Sequence, residues 1–230
     1  MKNYFITGTD TGVGKTFVTA ALIHDLQQRG MRVAPMKPVA AGTVEIRGAR
    51  MNEDVALLQE ISRQRYALAD VNPYCLATPI APHIAAIREQ VVIDIALISQ
   101  AFSRLSANAD TVLVEGAGGF LVPLSATQSM AEIPQALNLE VILVVGMRLG
   151  CLNHALLSAE AIRARGLSLA GWVANAITAA PMAAQADNFA TLGARVAAPC
   201  LGNIPYIDAA GSVAAAQQAA RHLQLDSIAV

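Results

Sequence analysis

The residues best suited to chemistry stand in one short run, Gly8-Thr9-Asp10-Thr11-Gly12-Val13-Gly14-Lys15-Thr16. It lies between an apolar strand-like stretch, Tyr4-Phe5-Ile6-Thr7, and a helix-like stretch beginning at Phe17. Glycines let successive backbone N–H groups turn inward around an anion, and a following helix adds its positive end. In such a loop Lys15 can reach the β- and γ-phosphates of a nucleotide, and the Thr16 hydroxyl can face Mg²⁺. The spacing departs from the usual pattern, because Thr9 holds the place of the first glycine and Gly8 lies one residue earlier. The strand before and the helix after carry the reading of a phosphate-binding loop, so nucleotide phosphate is the first expected ligand.

Other polar candidates also follow apolar runs. Lys37 ends a strand-like stretch, Arg32 to Met36, and Pro38 keeps it out of helical geometry. It is either a solvated strand-end lysine or a charge on the edge where open α/β sheets bind ligands. Asn52-Glu53-Asp54 opens a helix bearing Val55, Leu57, Leu58 and Ile61, where the Asp54 carboxylate either complements the helix dipole or faces a metal. Thr111 to Val114 reads as a fully buried strand that ends in Glu115-Gly116-Ala117-Gly118-Gly119. Four apolar residues followed by an acid is the metal-side pattern of phosphate-loop enzymes, with Glu in place of the usual Asp. A further strand, Leu169 to Ala174, ends in Asn175, and a short one, Leu201 to Ile204, ends in Pro205.

The elements that must position these residues alternate. Helices are expected over Phe17 to Leu26 with Gly30 as a stop, over Ile93 to Leu105, from about Asn153 to Ala164, and over Ser212 to Leu223. The first is expected to pack one face on a sheet. Val141 to Val145 is another buried strand, followed by Gly146 to Gly150, so the next helix offers its N-terminus at the same end of the sheet. The Gly-rich connection Ala40 to Gly48 and the segment Asn72 to His83, with Pro73, Pro79 and Pro82, read as irregular. The expected fold is therefore α/β, a P-loop NTPase-type mainly parallel sheet with helices on both faces, formed by residues 1–230 as a single domain. Lys15, Lys37, Glu115 and Asn175 all fall at strand ends, which gathers them into one site.

Bulk properties narrow the partners. With 16 Lys+Arg against 17 Asp+Glu, the chain has no broad cationic field for nucleic acid or anionic lipid. Cys75, Cys151 and Cys200 are far apart with no Cys-x-x-Cys, which suits a reducing cytoplasm and offers no zinc site; Cys151 with His154 lacks a second pair. The uncharged stretch Gly166 to Ala186 is broken by Ser168, Asn175, Thr178, Pro181 and Gln185, so no membrane span is expected. A cleavable leader is not expected either, since its loss would destroy the phosphate loop.

The chain resembles the dethiobiotin synthetases over nearly its whole length. The likeness rests on Gly8 to Thr11 with Gly14-Lys15-Thr16, on Lys37-Pro38-Val39, on Asn52 and Asp54, and on Val114 to Gly119. It continues through Gly150-Cys151 with Asn153-His154, Gly171 to Asn175, and Gly202 with Ile204-Pro205. The resemblance implies a homodimer that uses ATP and Mg²⁺ to join CO₂ to 7,8-diaminopelargonic acid, with the active site at the subunit boundary. A substrate amine takes up CO₂ as a carbamate, a carbamate oxygen attacks the γ-phosphate, and the second amine closes the ureido ring. The family pattern then carries over residue by residue. ATP falls to Gly12, Val13, Gly14, Lys15, Thr16 and Phe17, to Asp54 and Glu115 with Gly116, Ala117 and Gly118, and to Asn175 at the adenine edge beside Pro205, Tyr206 and Ile207. Mg²⁺ falls to Thr16, Asp54 and Glu115. Lys37 bridges carbamate and γ-phosphate, with Lys15 and Thr11 also at the reacting groups. Ala41 faces the substrate, and Gly150, Cys151 and Asn153 receive its carboxylate from the partner subunit.

Departures from the family pattern fall on the substrate side. Gly12 stands where one branch has Glu, Ala41 where Ser is common, and no Tyr lies near Asn188. Two other functions share parts of the pattern. A ParA/MinD-like regulatory ATPase would carry a signature lysine at the position of Asp10. A cobyrinate-type amide ligase would append a glutamine-hydrolysing domain for which this chain has no room.

Overall fold

The computed structural model describes residues 2–46 and 48–228. Arg47, within the connection expected from Ala40 to Gly48, lies outside the described residues, as do the last two positions of the C-terminal segment.

Strand β1 (Tyr4–Gly8) leads through the phosphate loop into helix α1 (Lys15–Gln28), and β2 (Val33–Met36) follows. Three short strands come next, β3 (Val39–Ala41), β4 (Val44–Ile46) and β5 (Ala49–Met51), before α2 (Glu53–Ile61) and α3 (Leu68–Val71). Then come β6 (Tyr74–Leu76), α4 (Pro82–Arg88), α5 (Ile95–Ser106) and the long strand β7 (Thr111–Gly119). The remainder alternates: α6 (Glu132–Ala136), β8 (Glu140–Gly146), α7 (Cys151–Ala164), β9 (Leu169–Asn175), α8 (Gln185–Arg195), β10 (Cys200–Ile204) and α9 (Val213–Ala220).

The main sheet has six strands in the order β10-β9-β8-β1-β7-β2, all parallel. Its strands read as continuous apolar runs because both faces are covered. Alternate residues enter different cores, as strand geometry requires. Tyr4, Ile6, Leu113, Ile142 and Val144 join α1 and α9 on one face. Phe5, Val112 and Val114 pack with α5 on the other face, and Leu143, Val145 and Trp172 pack with α7 and α8. The mainly parallel sheet between helices agrees with the sequence expectation.

Four local expectations need correction. Helix α1 is buried on nearly every side rather than one, because α2 and α9 cover what the sheet leaves open; α9 does so with Ala215, Ala216 and Ala219. The Gly-rich connection contains an antiparallel hairpin, β4 with β5. The Pro-rich segment contains β6, which pairs in parallel with β3 through Val39↔Tyr74 and Ala41↔Leu76. Glu115 lies within β7 rather than at its end, level with Ile6 of β1, and the strand runs on through the glycines.

Candidate active site

The phosphate loop is shaped by glycines where only glycine fits. Gly14 has φ +86° and forms the N-cap of α1, and a side chain at Gly8 would meet Val13 Cγ2 at 2.7 Å. This cap starts the helix at Lys15, earlier than the apolar spacing suggests, so Lys15 and Thr16 occupy its first turn. The loop is pinned from below by Thr9 N–H donating to the Val144 carbonyl of β8 at 3.0 Å. Its tip is held by Asp10, which accepts from Thr11 N–H at 2.7 Å and pairs with Arg148, just after β8. Thr11 N–H, followed by Arg148, holds the Asp10 carboxyl below its usual range. Thr11 and Gly12 are exposed, Thr16 is half-buried, and Val13, Lys15 and Phe17 are buried.

Lys15 donates to the Asp10 carbonyl at 2.9 Å. Burial pushes its ammonium down to about 8, against the opposing pull of the Glu115 carboxylate. Lys37 lies in a different environment. Its Nζ is 2.6 Å from Asp54 Oδ2 and 2.6 Å from Glu115 Oε1, and Thr16 Oγ1 donates to that same Glu115 oxygen at 2.7 Å. Burial alone would lower the Lys37 pKa, but Glu115 and Asp54 outweigh it and hold it above the ordinary lysine value. Burial would likewise raise Asp54, yet Lys37, with help from the Thr16 hydroxyl, keeps that carboxyl below its usual range.

These groups face a cleft of about 970 Å³ lined by Thr11, Gly12, Gly14, Lys15, Thr16 and Phe17, and opposite them by Lys37, Ala41, Asp54 and Glu115. Ala117 and Gly118 line it too. The buried oxygen Glu115 Oε2 has no partner among the described residues. An uncommitted carboxylate oxygen beside a hydroxyl and a second carboxylate is a donor set suited to a hard divalent cation such as Mg²⁺. Two lysines lining the same cleft, together with the loop N–H groups, make an anion cradle able to stabilise a transferring phosphoryl group.

Comparison with known proteins agrees with this geometry. The AAA-domain family model matches residues 2–214. The ATP-dependent dethiobiotin synthetase BioD of Aromatoleum aromaticum is 52% identical over 204 residues, 89% of this chain and 90% of that protein. The protein of the same name from Xanthomonas oryzae pv. oryzae is 46% identical over 214 residues, covering 93% of this chain and 95% of that one. This chain belongs to the dethiobiotin synthetase family. Among solved structures, the cell-division ATPase MinD of Pyrococcus furiosus superimposes with TM-score 0.62 at 17% identity, covering 96% of this chain and 95% of that one. A ParA-family ATPase from Chlorobium tepidum gives 0.58 at 16% identity, covering 96% and 92%. At those identities the likeness is one of fold: a P-loop ATPase sheet on which this family builds its own site.

The remaining family positions lie outside the lining of the cleft. Gly116 packs against the core, where a side chain would meet Phe5 Cζ at 2.8 Å. Asn175 is buried behind the phosphate loop and donates through Nδ2 to the Val13 carbonyl at 2.9 Å, leaving Oδ1 buried with no partner among the described residues. The pairing Ile204↔Asn175 brings Pro205 next to it; Pro205 and Tyr206 are exposed and Ile207 is buried. Gly150, with φ +93°, caps α7, which therefore starts at Cys151 instead of near Asn153. The Cys151 side chain is buried, its N–H donates to the Arg148 carbonyl at 3.0 Å, and Asn153 is exposed. Neither this turn nor the Asn175 group lines the cleft.

Several lining residues had no assigned role in the sequence reading: Asn52, Leu57, the apolar wall Pro79 to Pro82, and Val122. For Pro79 and Pro82 the run of prolines was visible, but no local pattern ties that run to a distant phosphate loop. Among the described residues no helix is long and apolar enough to cross a membrane.

Proposed function

We propose that this family member carries out ATP-dependent ring closure of 7,8-diaminopelargonic acid with CO₂, giving dethiobiotin, ADP and phosphate. The observation that carries the reading is Lys37, held between Asp54 and Glu115 in the same cleft as the phosphate-loop lysine. The chemistry needs no protein nucleophile. A carbamate oxygen must meet the γ-phosphorus while the negative charge on both is neutralised and the ends are held in line.

Lys15 and the loop N–H groups would hold the β- and γ-phosphates. Lys37 would orient the carbamate against the γ-phosphoryl group, and Thr11 at the loop tip would close over the reacting atoms. Thr16, Asp54 and Glu115 would hold Mg²⁺, supported by the free Glu115 Oε2; when bound, the ion would neutralise phosphoryl oxygens. The apolar wall Pro79 to Pro82 beside Ala41 suits the alkyl chain of the diamine. Asn175 with Pro205 to Ile207 would receive the adenine, with Asn175 Nδ2 held by the Val13 carbonyl. The turn at Gly150 to Asn153 would receive the substrate carboxylate of a partner subunit in a homodimer, its N-terminal N–H groups suiting an anion. The three free cysteines favour work in the cytoplasm.

The test supplies purified protein with 7,8-diaminopelargonate, bicarbonate, ATP and Mg²⁺, and follows phosphate and ureido product together. We expect phosphate release that depends on the diamine and matches dethiobiotin one for one. Phosphate release indifferent to the diamine would overturn the reading.

A further inference from the structure

Asn52 is 8% exposed and lies between two parts of the cleft that no covalent neighbour joins. Its Oδ1 caps α2, accepting from Asp54 N–H at 3.1 Å and from Val55 N–H at 3.4 Å. Its Nδ2 points the other way and donates to the Gly42 carbonyl at 2.8 Å, with the Ala41 carbonyl at 3.5 Å. One amide thus spends its acceptor on the helix that presents Asp54 and its donors on the strand end that presents Ala41. The far side of that strand end is fixed as well. Gly42 N–H donates to the Leu76 carbonyl at 2.9 Å, and at φ +91° a side chain on Gly42 would meet Pro79 Cβ at 3.0 Å. Ala41, Gly42 and the apolar wall therefore form one unit, and Asn52 is its link to the carboxylate side.

We propose that Asn52 is a positioning residue for the diamine, setting the distance between the Ala41 to Pro82 wall and the Lys37–Asp54 pair. Capping alone does not require asparagine, because Ser and Asp cap a helix about as well. The amide is needed because its oxygen accepts toward α2 while its nitrogen reaches the Gly42 carbonyl, two directions that the single atom of a hydroxyl does not span. The substrate side of this proposal rests on the function proposed above; the tether does not.

The test uses Asn52→Ser, which keeps a neutral cap but is too short to reach Gly42, and Asn52→Asp, which keeps the acceptor and loses the donors. For both we expect the KM for the diamine to rise about three- to tenfold, the span one hydrogen bond commands, with the KM for ATP and the melting temperature little changed. Hydrogen exchange gives a readout independent of substrate. The Gly42 and Thr43 amides should exchange about tenfold faster in the variants, while those of α2 keep their wild-type rates. If diamine turnover is absent in the wild-type protein, the proposed function falls and the exchange result alone decides the tether. Unchanged exchange at Gly42 and Thr43 would overturn the inference. So would a parallel rise in both KM values accompanied by a lower melting temperature, which marks a merely structural residue.

Discussion

Lys15 and Lys37 line one cleft, 7% and 4% exposed, yet their charges are managed in opposite ways. Among the described residues Lys15 has only the Asp10 carbonyl within hydrogen-bond reach, and burial pushes it down to about 8. Lys37 is neutralised by two carboxylates and held above the ordinary value. A buried cation without a carboxylate partner stores an unfavourable desolvation that an arriving anion relieves, whereas a clamped one is already satisfied and must be given something better. The phosphate loop is thus built to receive charge from outside, and the Lys37 cluster to redistribute charge it already holds.

The largest effect should come from breaking the clamp. Lys37→Ala should lower turnover roughly 10²- to 10³-fold. It should also cost about 3–5 kcal/mol of stability, because fully buried Glu115 loses its counter-charge. Denaturant melts will check the second part, and adding Glu115→Gln should restore most of the loss. Stability untouched by Lys37→Ala would mean that the cluster is looser than its 2.6 Å contacts indicate.

Lys15→Met sharpens the contrast, since its two effects have opposite signs. Nucleotide binding should be lost, while the ligand-free protein gains about 1–3 kcal/mol near pH 7. The sign follows from the lowered value: between about 8 and the unfolded lysine pKa, the unfolded chain holds more protons than the folded one. Wild-type stability therefore rises with pH across that window, and the advantage of methionine should shrink there. Melting curves at pH 7 and 10 read this directly.

Asp54→Asn is a milder disturbance, because the Asp54 side chain is 44% exposed. Its stability cost should stay within about 1 kcal/mol. The Mg²⁺ concentration for half-maximal turnover should rise roughly tenfold or more. Arg148→Ala should do least: it removes a half-exposed pair with Asp10, worth well under about 1 kcal/mol, and calorimetry should find ATP affinity changed less than about threefold.

How much of this was legible in the sequence depended on range. Lys15, Lys37 and Glu115 could be read because each is announced by its own neighbours: glycines, a following proline, or an apolar run before an acid. The six parallel strands were legible for the same reason, as short apolar runs buried on both faces. What escaped was long-range and brief. The pairing of β3 with β6 joins three-residue strands across Val39↔Tyr74, too short for any periodicity to register. Pairing of that kind brings the Pro79 to Pro82 wall to the cleft. Asn52 was visible as a helix opener, but its other hydrogen bonds reach back to Gly42, which no cap rule specifies. The position of Asn175, behind the loop with Nδ2 on the Val13 carbonyl, is a tertiary fact of the same kind.

The place of β1 in the sheet has a consequence for biosynthesis. It sits between β7 and β8, and its partners are Leu113 to Gly119 on one side and Glu140 to Val144 on the other. A ribosome adding about 5–20 residues per second needs roughly five to twenty seconds to travel from β1 to the first of these partners. Through that interval Tyr4 to Gly8 is an apolar strand with both edges bare, and the nucleotide cradle that hangs from it has no floor. Nascent chains arrested before β8 should therefore crosslink to a holding chaperone through this strand. Chains arrested well past Gly146 should not.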